Sequence, residues 1–324
     1  MVKVVYAIRV HRSGINMLRE KGYNVVVFEG REPPREWLIR ELVDADVLVI
    51  APIHVINEDI LSSARKLRLI VLHGSGYENI DLEYCSKKGI CVAYEPNAIA
   101  ESVAEYALGL ALALLRNIVV GDRYIRRRMW GKGPAPRELL GTTLRGKTVG
   151  IIGLGRIGAS IARIFKCVGC RVIYWSRRRK PEVEHALGIE YKNLLELLSE
   201  SDIIIISLAL TKDTQGFLDY DKLSKMKSNA VLINVSRGKV VVEEDLIKAL
   251  KEGIIKGAAL DVFSKEPIDP SNPLIEMDNV ILTPHIAGYT REAMIETSIR
   301  VARTIIDFME RKRLPLNPLT PCTF

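Results

Sequence analysis

The stretch Lys147-Thr-Val-Gly-Ile-Ile152, which runs directly into Gly153-Leu-Gly-Arg-Ile-Gly158, decides the fold. Its first half is a short apolar run typical of a buried strand. Its second half is a G-x-G-x-x-G loop that leads into a helical pattern over residues 159–165. In this context Gly153 permits a tight turn, Gly155 lets the backbone approach a pyrophosphate, and Gly158 lets the helix pack closely on the strand. The stretch predicts a dinucleotide-binding unit whose helix N-terminal amides face the phosphates; the alternative is a glycine turn without a ligand.

Apolar runs of the same kind alternate with amphipathic, helix-length stretches along most of the chain. They cover residues 24–28, 47–50, 171–175, 202–206, 230–234, 258–262 and 280–283, and residues 1–10 also begin as a short strand. Runs rich in Val and Ile without polar alternation are typical of parallel strands covered on both faces. The predicted fold class is therefore α/β. Residues 101–116 are apolar nearly all round, which predicts a helix buried between domains or at an oligomer contact.

Length and composition narrow the class of protein. At about 150 residues per domain, a chain of 324 residues indicates two domains. Hydrophobic residues make up 48% and charged residues 27%, which excludes a disordered chain. The formal net charge of +8 favours an anionic partner such as phosphate or an acidic metabolite. Nucleic acid is not expected as a partner, because the basic runs at 126–128 and 311–313 accompany no base-reading module.

The sequence also predicts a cytoplasmic protein without a membrane span or a metal site. The start has no apolar stretch with a cleavage site, and the apolar residues 106–115 are too few for a span. The five cysteines are an odd number in a long chain, so we expect them to be mostly reduced. Cys167 and Cys170 form a lone C-x-x-C without a nearby His, which favours a structural role over metal or redox chemistry.

The residue that selects the cofactor is expected at the end of the strand after the glycine loop. Sites for NAD usually carry Asp or Glu about 20 residues further on, where the carboxylate binds the ribose 2′-hydroxyl. This chain has Ser176 there, followed by Arg177-Arg-Arg-Lys180. A hydroxyl and a cluster of cations suit the 2′-phosphate of NADP. NADP is therefore predicted as the preferred cofactor and NAD as the second one, while a solvated basic turn is the alternative interpretation.

Four polar residues follow the ends of apolar strands in the last third of the chain. They are Arg237, Asp261, Glu266 and His285. Because ligands of open α/β sheets bind beyond the carboxyl ends of the strands, we expect these side chains to converge beside the cofactor. Each of them alone has a structural explanation, such as a surface cation or a capped core imidazole. Together with the phosphate loop upstream, they indicate an active site.

In their order along the chain, these motifs resemble those of the D-isomer-specific 2-hydroxyacid dehydrogenases. The resemblance runs from about Val47 to Met309, and it is carried by Gly74-Ser-Gly-Tyr-Glu-Asn-Ile-Asp81, Asn97, Val103-Ala-Glu105, the glycine loop, Asn234-Val-Ser-Arg-Gly238, Leu260-Asp-Val262, Glu266-Pro267 and Pro284-His285. It implies two Rossmann-like or flavodoxin-like domains, a dinucleotide-binding domain at 101–292 inserted in a discontinuous substrate domain at 1–100 and 293–324. It also implies a homodimer joined through the dinucleotide-binding domains.

The resemblance further implies hydride transfer between a nicotinamide and C2 of a 2-oxo acid. His285 would be the general acid, since an imidazole titrates near neutrality, and Glu266 would orient the ring and favour its protonated form. Arg237 would bind the substrate carboxylate with its planar fork. The backbone N–H groups of Ser75 and Gly76 would hold the other end of that carboxylate. Contacts with the cofactor are implied for Val103, Gly153, Gly155, Arg156, Ile157, Gly158, Ser176, Arg177, Arg178, Val235, Ser236, Gly288 and, near the nicotinamide amide, Asp261.

Three departures from the family's pattern bear on cofactor and substrate. Residues 207–211 read Ser-Leu-Ala-Leu-Thr where many members carry His and Pro, so the cofactor wall differs there. Glu78 stands where Asp is common, which leaves the backbone role of the nearby glycines intact. Ile53 stands where phosphoglycerate dehydrogenases tend to have Arg. Without that phosphate handle a small substrate such as glyoxylate or hydroxypyruvate fits better, although His54 keeps a modest anionic substituent open.

The sequence thus predicts an NADPH-preferring reductase of a short 2-oxo acid such as glyoxylate or hydroxypyruvate. The alternatives among enzymes are D-3-phosphoglycerate dehydrogenase and D-lactate dehydrogenase, and the alternative of another class is a dinucleotide-sensing, corepressor-like binding protein. The intact set of Arg237, Glu266 and His285 favours turnover over binding. Gln215 is the sole glutamine while Lys, Arg, Glu and Ile are abundant. That trend predicts a thermophilic source, in which an intracellular disulfide is less unusual.

Overall fold

Parallel β-sheets form the centre of both units into which the chain divides. The computed structural model describes residues 1–30, 32–51, 54–74, 76–131 and 137–323. The first unit combines residues 1–99 with residues 289–324, and the second unit is the continuous segment 100–288. Both units alternate strands with helices, which confirms the α/β class predicted from the apolar runs.

The first unit is built on a sheet whose five described strands are parallel and ordered β2-β1-β3-β4-β5. Its strands are β1 (Lys3–Tyr6), β2 (Asn24–Val27), β3 (Val47–Ile50), β4 (Leu69–Leu72) and β5 (Cys91–Tyr94). Its helices are α1 (Arg12–Glu20), α2 (Arg35–Leu42), α3 (Glu58–Leu61), α4 (Leu82–Lys87) and α12 (Arg291–Met309). The sequence prediction omits β4 and β5, although their four-residue apolar runs carry the same signal as the run that predicted β3.

Helices cover this sheet on both faces. On one face, α1 and α12 pack on alternate strand residues such as Val4 and Val71, and Ile305 of α12 is fully buried there. On the other face, the helices α2 to α4 pack on the intervening residues such as Leu48. Because each central strand is buried on both sides, its residues form the continuous apolar run seen in the sequence.

The C-terminal tail lies along the outer edge of β5. Ala93 and Pro318 form an antiparallel bridge. The hydroxyl of Thr320 accepts from the N–H of Val92 and donates to the carbonyl of Ile90, both at 2.9 Å. The tail therefore satisfies backbone groups that an edge strand would otherwise expose.

A disulfide between Cys91 and Cys322 fastens this tail to β5 across 231 residues of sequence. The expectation of mostly reduced cysteines is wrong for this pair. The returning tail brings the two Cα atoms to 4.6 Å, a proximity that their separation in sequence hides. Cys85, Cys167 and Cys170 are free thiols, so the C-x-x-C pair is not linked. Burial raises the pKa of the Cys170 thiol to about 11.

The second unit contains a sheet whose seven described strands are parallel and ordered β12-β11-β10-β9-β6-β7-β8. Its strands are β6 (Thr148–Ile152), β7 (Arg171–Trp175), β8 (Glu190–Tyr191), β9 (Ile203–Ile206), β10 (Val231–Asn234), β11 (Gly257–Leu260) and β12 (Val280–Leu282). Its helices are α5 (Ala100–Leu115), α6 (Ile118–Arg126), α7 (Arg156–Cys167), α8 (Pro181–Leu187), α9 (Leu194–Glu200), α10 (Tyr220–Leu223) and α11 (Glu243–Lys251). Short 3-10 turns lie at Arg137–Leu139, Gly238–Val240 and Pro273–Glu276.

The pairing register of this sheet sets where its loops emerge. Asn234 at the end of β10 lies beside Ile206 of β9 and Leu260 of β11. Helix α5 packs along α7, as its largely apolar surface requires. Because the strands are parallel, all their carboxyl ends lie at one edge, and the loops that follow them share that edge.

Among the described residues, no single helix is long and apolar enough to cross a membrane. The pair α5 and α6, bent by 61°, passes the same test of length and composition when taken together. No group of three or more His, Cys, Asp or Glu side chains suited to a metal ion occurs in the described ranges.

Candidate active site

Three side chains singled out in the sequence lie at the carboxyl edge of the second unit's sheet. Arg237 follows β10, Glu266 lies in the loop after β11, and His285 follows β12. These strands are parallel neighbours in the order β12-β11-β10. The sheet therefore brings the three loops to the same edge.

Glu266 and His285 are joined by a direct hydrogen bond. Oε2 of Glu266 lies 2.7 Å from Nδ1 of His285, and since a carboxylate only accepts, the imidazole Nδ1–H donates. The other oxygen of Glu266 accepts from the N–H of Phe263 at 3.1 Å. Burial acts to raise the pKa of Glu266, but His285, the Phe263 N–H and the charge of Arg237 together hold that pKa below its usual range. Nε2 is thus the ring nitrogen that can exchange a proton with a ligand.

Asp261 is a buried residue, 1% exposed, and its carboxylate anchors the loop that carries His285. It accepts from the Thr283 hydroxyl at 2.6 Å, the Ile286 N–H at 3.0 Å and the Ala287 N–H at 2.8 Å. His285 has a φ of 56°, in the left-handed region that costs a residue with a side chain about 1–2 kcal/mol. Its N–H donates to the Asp261 carbonyl at 2.8 Å, which helps to hold this conformation. The contact of Asp261 with a nicotinamide amide stays a prediction.

A buried asparagine shapes the turn that carries Arg237. Oδ1 of Asn234 accepts from the N–H and the hydroxyl of Ser236 at 3.0 and 2.9 Å, and Nδ2 donates to the Arg237 carbonyl at 3.0 Å. Gly238 approaches the backbone of Phe263 so closely that any side chain there would clash. The turn of Arg237 therefore packs directly on the loop that follows β11.

The glycine loop joins β6 to α7 in a tight turn. Gly153 has a φ of 103°, a conformation that favours glycine. A side chain on Gly158 would clash with the carbonyl of Gly153. Gly155 faces open space and caps α7 without a side-chain hydrogen bond. The positive end of the α7 dipole therefore opens on an uncapped turn, which suits a phosphate anion.

A buried hydroxyl next to this loop also fits a dinucleotide. Oγ of Ser207, directly after β9, has no hydrogen-bond partner among the described residues. A Cβ added to Gly158 would lie 3.3 Å from it. A buried polar group left without a partner costs about 1–3 kcal/mol. A bound ligand at the loop can supply the missing partner, so the residues present fit the cofactor.

The turn after β7 places two arginines in solvent. The hydroxyl of buried Ser176 donates to the carbonyl of Arg178 at 2.6 Å, which closes the turn. The side chain of Arg177 is 78% exposed, and its Nη1 lies 3.7 Å from Oδ2 of Asp213. Such an exposed pair contributes little to stability. Arg178 is exposed as well.

The third arginine of this run is held by a carboxylate instead. Nη2 and Nε of Arg179 donate to the two oxygens of Glu184 at 2.8 and 2.9 Å, and the hydroxyl of Tyr174 donates to Glu184 at 2.6 Å. The hydrogen bonds from Arg179 and Tyr174 lower the pKa of Glu184 to about 2. Arg179 is therefore paired with a residue of α8. The prediction of 2′-phosphate contacts concerns Arg177 and Arg178, which remain in solvent.

Two predicted substrate contacts, Ser75 and Ile53, lie outside the described residues. Gly76 is described and buried in the first unit. The remaining predicted cofactor contacts are Val103 and Val235, both buried, Arg156, exposed, and Ile157 and Gly288, half-buried. The roles of all these residues stay predictions.

Sequence reasoning missed the residues that hold the site's loops in place. Asn234 had a usable signal, since it is a polar residue at the end of a buried apolar strand. Glu184 had none, because its contact with Tyr174 depends on how α8 returns to β7.

The model of the D-isomer specific 2-hydroxyacid dehydrogenase, NAD binding domain, family matches residues 108–287. The chain belongs to the D-isomer-specific 2-hydroxyacid dehydrogenase family. The resemblance seen in the motifs is thereby confirmed. As a member of this family, the protein is an NAD(P)-dependent oxidoreductase with a Rossmann-type nucleotide-binding domain.

Several 2-hydroxyacid dehydrogenases are similar to this chain over nearly its whole length. A glyoxylate reductase of Pyrococcus furiosus is 43% identical over 97% of this chain and 94% of its own. An NADPH-dependent glyoxylate/hydroxypyruvate reductase of Sinorhizobium meliloti, solved with NADP and malonate, is 28% identical, with a TM-score of 0.85 over 98% of this chain and 96% of its own. A D-lactate dehydrogenase of Aquifex aeolicus, solved with NAD and lactic acid, is 27% identical, with a TM-score of 0.86 over 99% of this chain and all of its own. The solved relatives thus include both cofactors.

Proposed function

We propose that this dehydrogenase reduces glyoxylate and hydroxypyruvate and prefers NADPH to NADH. The observation that carries the proposal is the hydrogen-bonded pair of Glu266 and His285 at the same sheet edge as Arg237. This set offers a proton donor and a cation for a carboxylate, which reduction of a 2-oxo acid requires. Similarity to the glyoxylate reductase of Pyrococcus furiosus supports the substrate class.

The glycine loop and the turn after β7 would hold the dinucleotide. When bound, the reduced nicotinamide supplies a hydride to C2 of the substrate. The N-terminus of α7 binds the pyrophosphate through its amides, and Arg177 and Arg178 pair with the 2′-phosphate. Ser176 in place of a carboxylate removes the charge that would repel this phosphate.

His285 acts as the general acid in the reduction. Its Nε2–H donates a proton to the substrate oxygen, which gains the electrons of the carbonyl double bond. Glu266 fixes the orientation of the ring through its hydrogen bond with Nδ1, which leaves Nε2 for the substrate. In the reverse direction the neutral ring accepts the proton from the hydroxyl group.

Arg237 binds the substrate carboxylate, and its charge also polarises the adjacent carbonyl group. By resemblance to the family, the backbone N–H groups of Ser75 and Gly76 hold the second oxygen of the carboxylate. The sequence carries Ile53 where phosphoglycerate dehydrogenases tend to have Arg. A small substituent at C3 therefore fits better than a phosphorylated one.

A kinetic panel tests this function. Glyoxylate, hydroxypyruvate, pyruvate and 3-phosphohydroxypyruvate are each assayed with NADPH and with NADH, following absorbance of the reduced cofactor. We expect the highest kcat/KM for glyoxylate or hydroxypyruvate with NADPH. Preference for pyruvate would identify a D-lactate dehydrogenase, preference for the phosphorylated acid a phosphoglycerate dehydrogenase, and either result would overturn the proposal.

The proposal includes a cytoplasmic homodimer joined through the second unit. Large apolar side chains are exposed around α6, namely Ile118, Ile125, Met129, Trp130 and Leu140. Trp130 and Leu140 are both 81% exposed, which favours a surface covered by a partner. Light scattering that gives the mass of a single chain would contradict the dimer.

A further inference from the structure

The loop that carries Glu266 is tied at two points to one carboxylate. Glu243, the first residue of α11, accepts at Oε2 from the N–H of Ser264 at 3.0 Å and at Oε1 from Nδ2 of Asn272 at 2.9 Å. Glu266 lies between these two points in the chain. Asn272 is anchored in turn, because its Oδ1 accepts from the N–H of fully buried Leu274 at 3.0 Å.

The position of Ser264 bears directly on the Glu266 carboxylate. The N–H of Phe263, the residue before Ser264, donates to one oxygen of Glu266, while the other oxygen accepts from His285. A shift of the main chain at Ser264 therefore moves the group that orients the carboxylate. Glu243 does not bond to the imidazole itself, and its hydrogen bonds connect it to the ring through this main chain.

We propose that Glu243 is a positioning residue for the general acid, holding the loop so that Glu266 stays on Nδ1 of His285. The inference rests on the proposed roles of Glu266 and His285. Glu243 acts through the bonds that it accepts from Ser264 and Asn272, so the loss of these bonds frees the loop between them.

Three other charged groups lie on the loops that carry the pair. Arg237 and Asp261 lie outside the loop between Ser264 and Asn272, and Lys265 lies within it. The charge of Arg237 acts on Glu266. Asp261 accepts hydrogen bonds from the Thr283 hydroxyl and from two backbone N–H groups of the loop that carries His285. Lys265 points to Asp269, with Nζ 3.7 Å from Oδ2. Glu243→Ala and Glu243→Gln remove the same charge, so a larger shift in the Ala variant reports on the loop that carries Glu266 and not on that charge.

The test follows the protonation of His285 directly. The ring proton shift of His285, assigned with His285→Gln, is recorded against pH by NMR for the wild type and Glu243→Ala. The pH profile of kcat for glyoxylate reduction is measured alongside. We expect the titration midpoint and the descending limb of kcat to move together to lower pH by about 0.5 unit or more, because the protonated ring loses part of its stabilisation. At neutral pH kcat should fall about 3- to 10-fold, with KM for NADPH within about twofold.

Three further variants set the scale and the control. Glu266→Gln should move the midpoint in the same direction and further. Glu243→Gln keeps the volume and one acceptor for the Ser264 N–H, so it should give a smaller shift and serves if Glu243→Ala does not fold. Glu244→Gln, at the exposed neighbouring position, should leave the midpoint unchanged.

The outcomes separate the inference from the proposed function. A lower melting temperature in both Glu243 variants with an unchanged His285 midpoint would show a merely structural role and overturn the inference. A wild type that does not reduce glyoxylate would contradict the proposed function, while the NMR midpoints still decide the role of Glu243.

Discussion

His285 is held by both its backbone and its ring. The Asp261 carbonyl accepts from its N–H, and the Glu266 carboxylate accepts from its Nδ1–H. A ring fixed in this way presents Nε2 in a single direction, which is what proton transfer to a small substrate needs.

Replacing His285 by Ala should lower kcat by about 100-fold or more, since the general acid is lost. The dissociation constant for NADPH should stay within about twofold, because the cofactor is held elsewhere. Steady-state kinetics and a fluorescence titration of the cofactor measure the two effects. His185→Ala, an exposed histidine of α8, is the control and should behave as the wild type. Normal turnover in His285→Ala would rule out the proposed role.

His73 differs from His285 because its imidazole is buried. It follows β4 in the first unit and is 8% exposed, and its Nε2 has no hydrogen-bond partner among the described residues. Burial lowers the pKa of His73 to about 4, so the folded chain favours the neutral ring. The ordinary value in an unfolded chain is about 6.5.

This difference makes part of the stability depend on pH. Above about pH 6.5 the ring is neutral in both the folded and the unfolded chain. As pH falls towards 4, the unfolded chain binds the proton first, so the free energy of unfolding decreases by up to about 3 kcal/mol. In His73→Leu, the free energy of unfolding between pH 7 and 4.5 should fall less steeply than in the wild type. Denaturant titrations at each pH measure it, with His185→Ala as the variant that keeps the wild-type slope. Equal slopes for His73→Leu and the wild type would contradict the prediction.

At the scale of the elements, the turn after β7 is where the proposed preference for NADPH can be tested. Arg177→Ala combined with Arg178→Ala should raise KM for NADPH about 10-fold or more, since each charged hydrogen bond contributes about 1.5–3 kcal/mol. KM for NADH should change by less than about twofold, because NADH lacks the 2′-phosphate. Arg65→Ala combined with Lys66→Ala removes two adjacent exposed cations of the first unit and is the matched control. An equal loss for both cofactors would refute the assignment.

The elements that the sequence revealed are those with a local signal. The run into Gly153 predicts a strand, a turn and a helix because each glycine has a distinct steric task there. The order of Arg237, Glu266 and His285 after successive strands predicts one shared edge, because parallel strands end together. The sequence could not predict the ion pair between Arg179 and Glu184 or the two hydrogen bonds that Glu243 accepts. They depend on how a helix packs against a distant loop, which no local pattern encodes.

At the scale of the whole molecule, the disulfide between Cys91 and Cys322 closes a loop of 231 residues. Such a crosslink stabilises typically by about 2–4 kcal/mol, mainly by restricting the unfolded chain. Cys322→Ser, or a reductant, should lower the melting temperature by at least about 4 °C. Scanning calorimetry measures the shift, and a thiol assay on the unfolded chain counts free cysteines before and after reduction. Cys167→Ser, an exposed free thiol, should melt as the wild type. A wild type whose melting is insensitive to reductant would contradict the prediction.

The division of the first unit between the two ends of the chain has a consequence for synthesis on the ribosome. The core of that unit includes Val301 and Ile305 of α12, and its edge strand β5 is covered by the tail around Pro318. These parts are synthesised after the continuous segment 100–288. The second unit can therefore fold first. Until α12 is synthesised, one face of the sheet formed by the first 99 residues stays uncovered and accessible to chaperones. A chain truncated within α12 would have a folded second unit and an incomplete first unit.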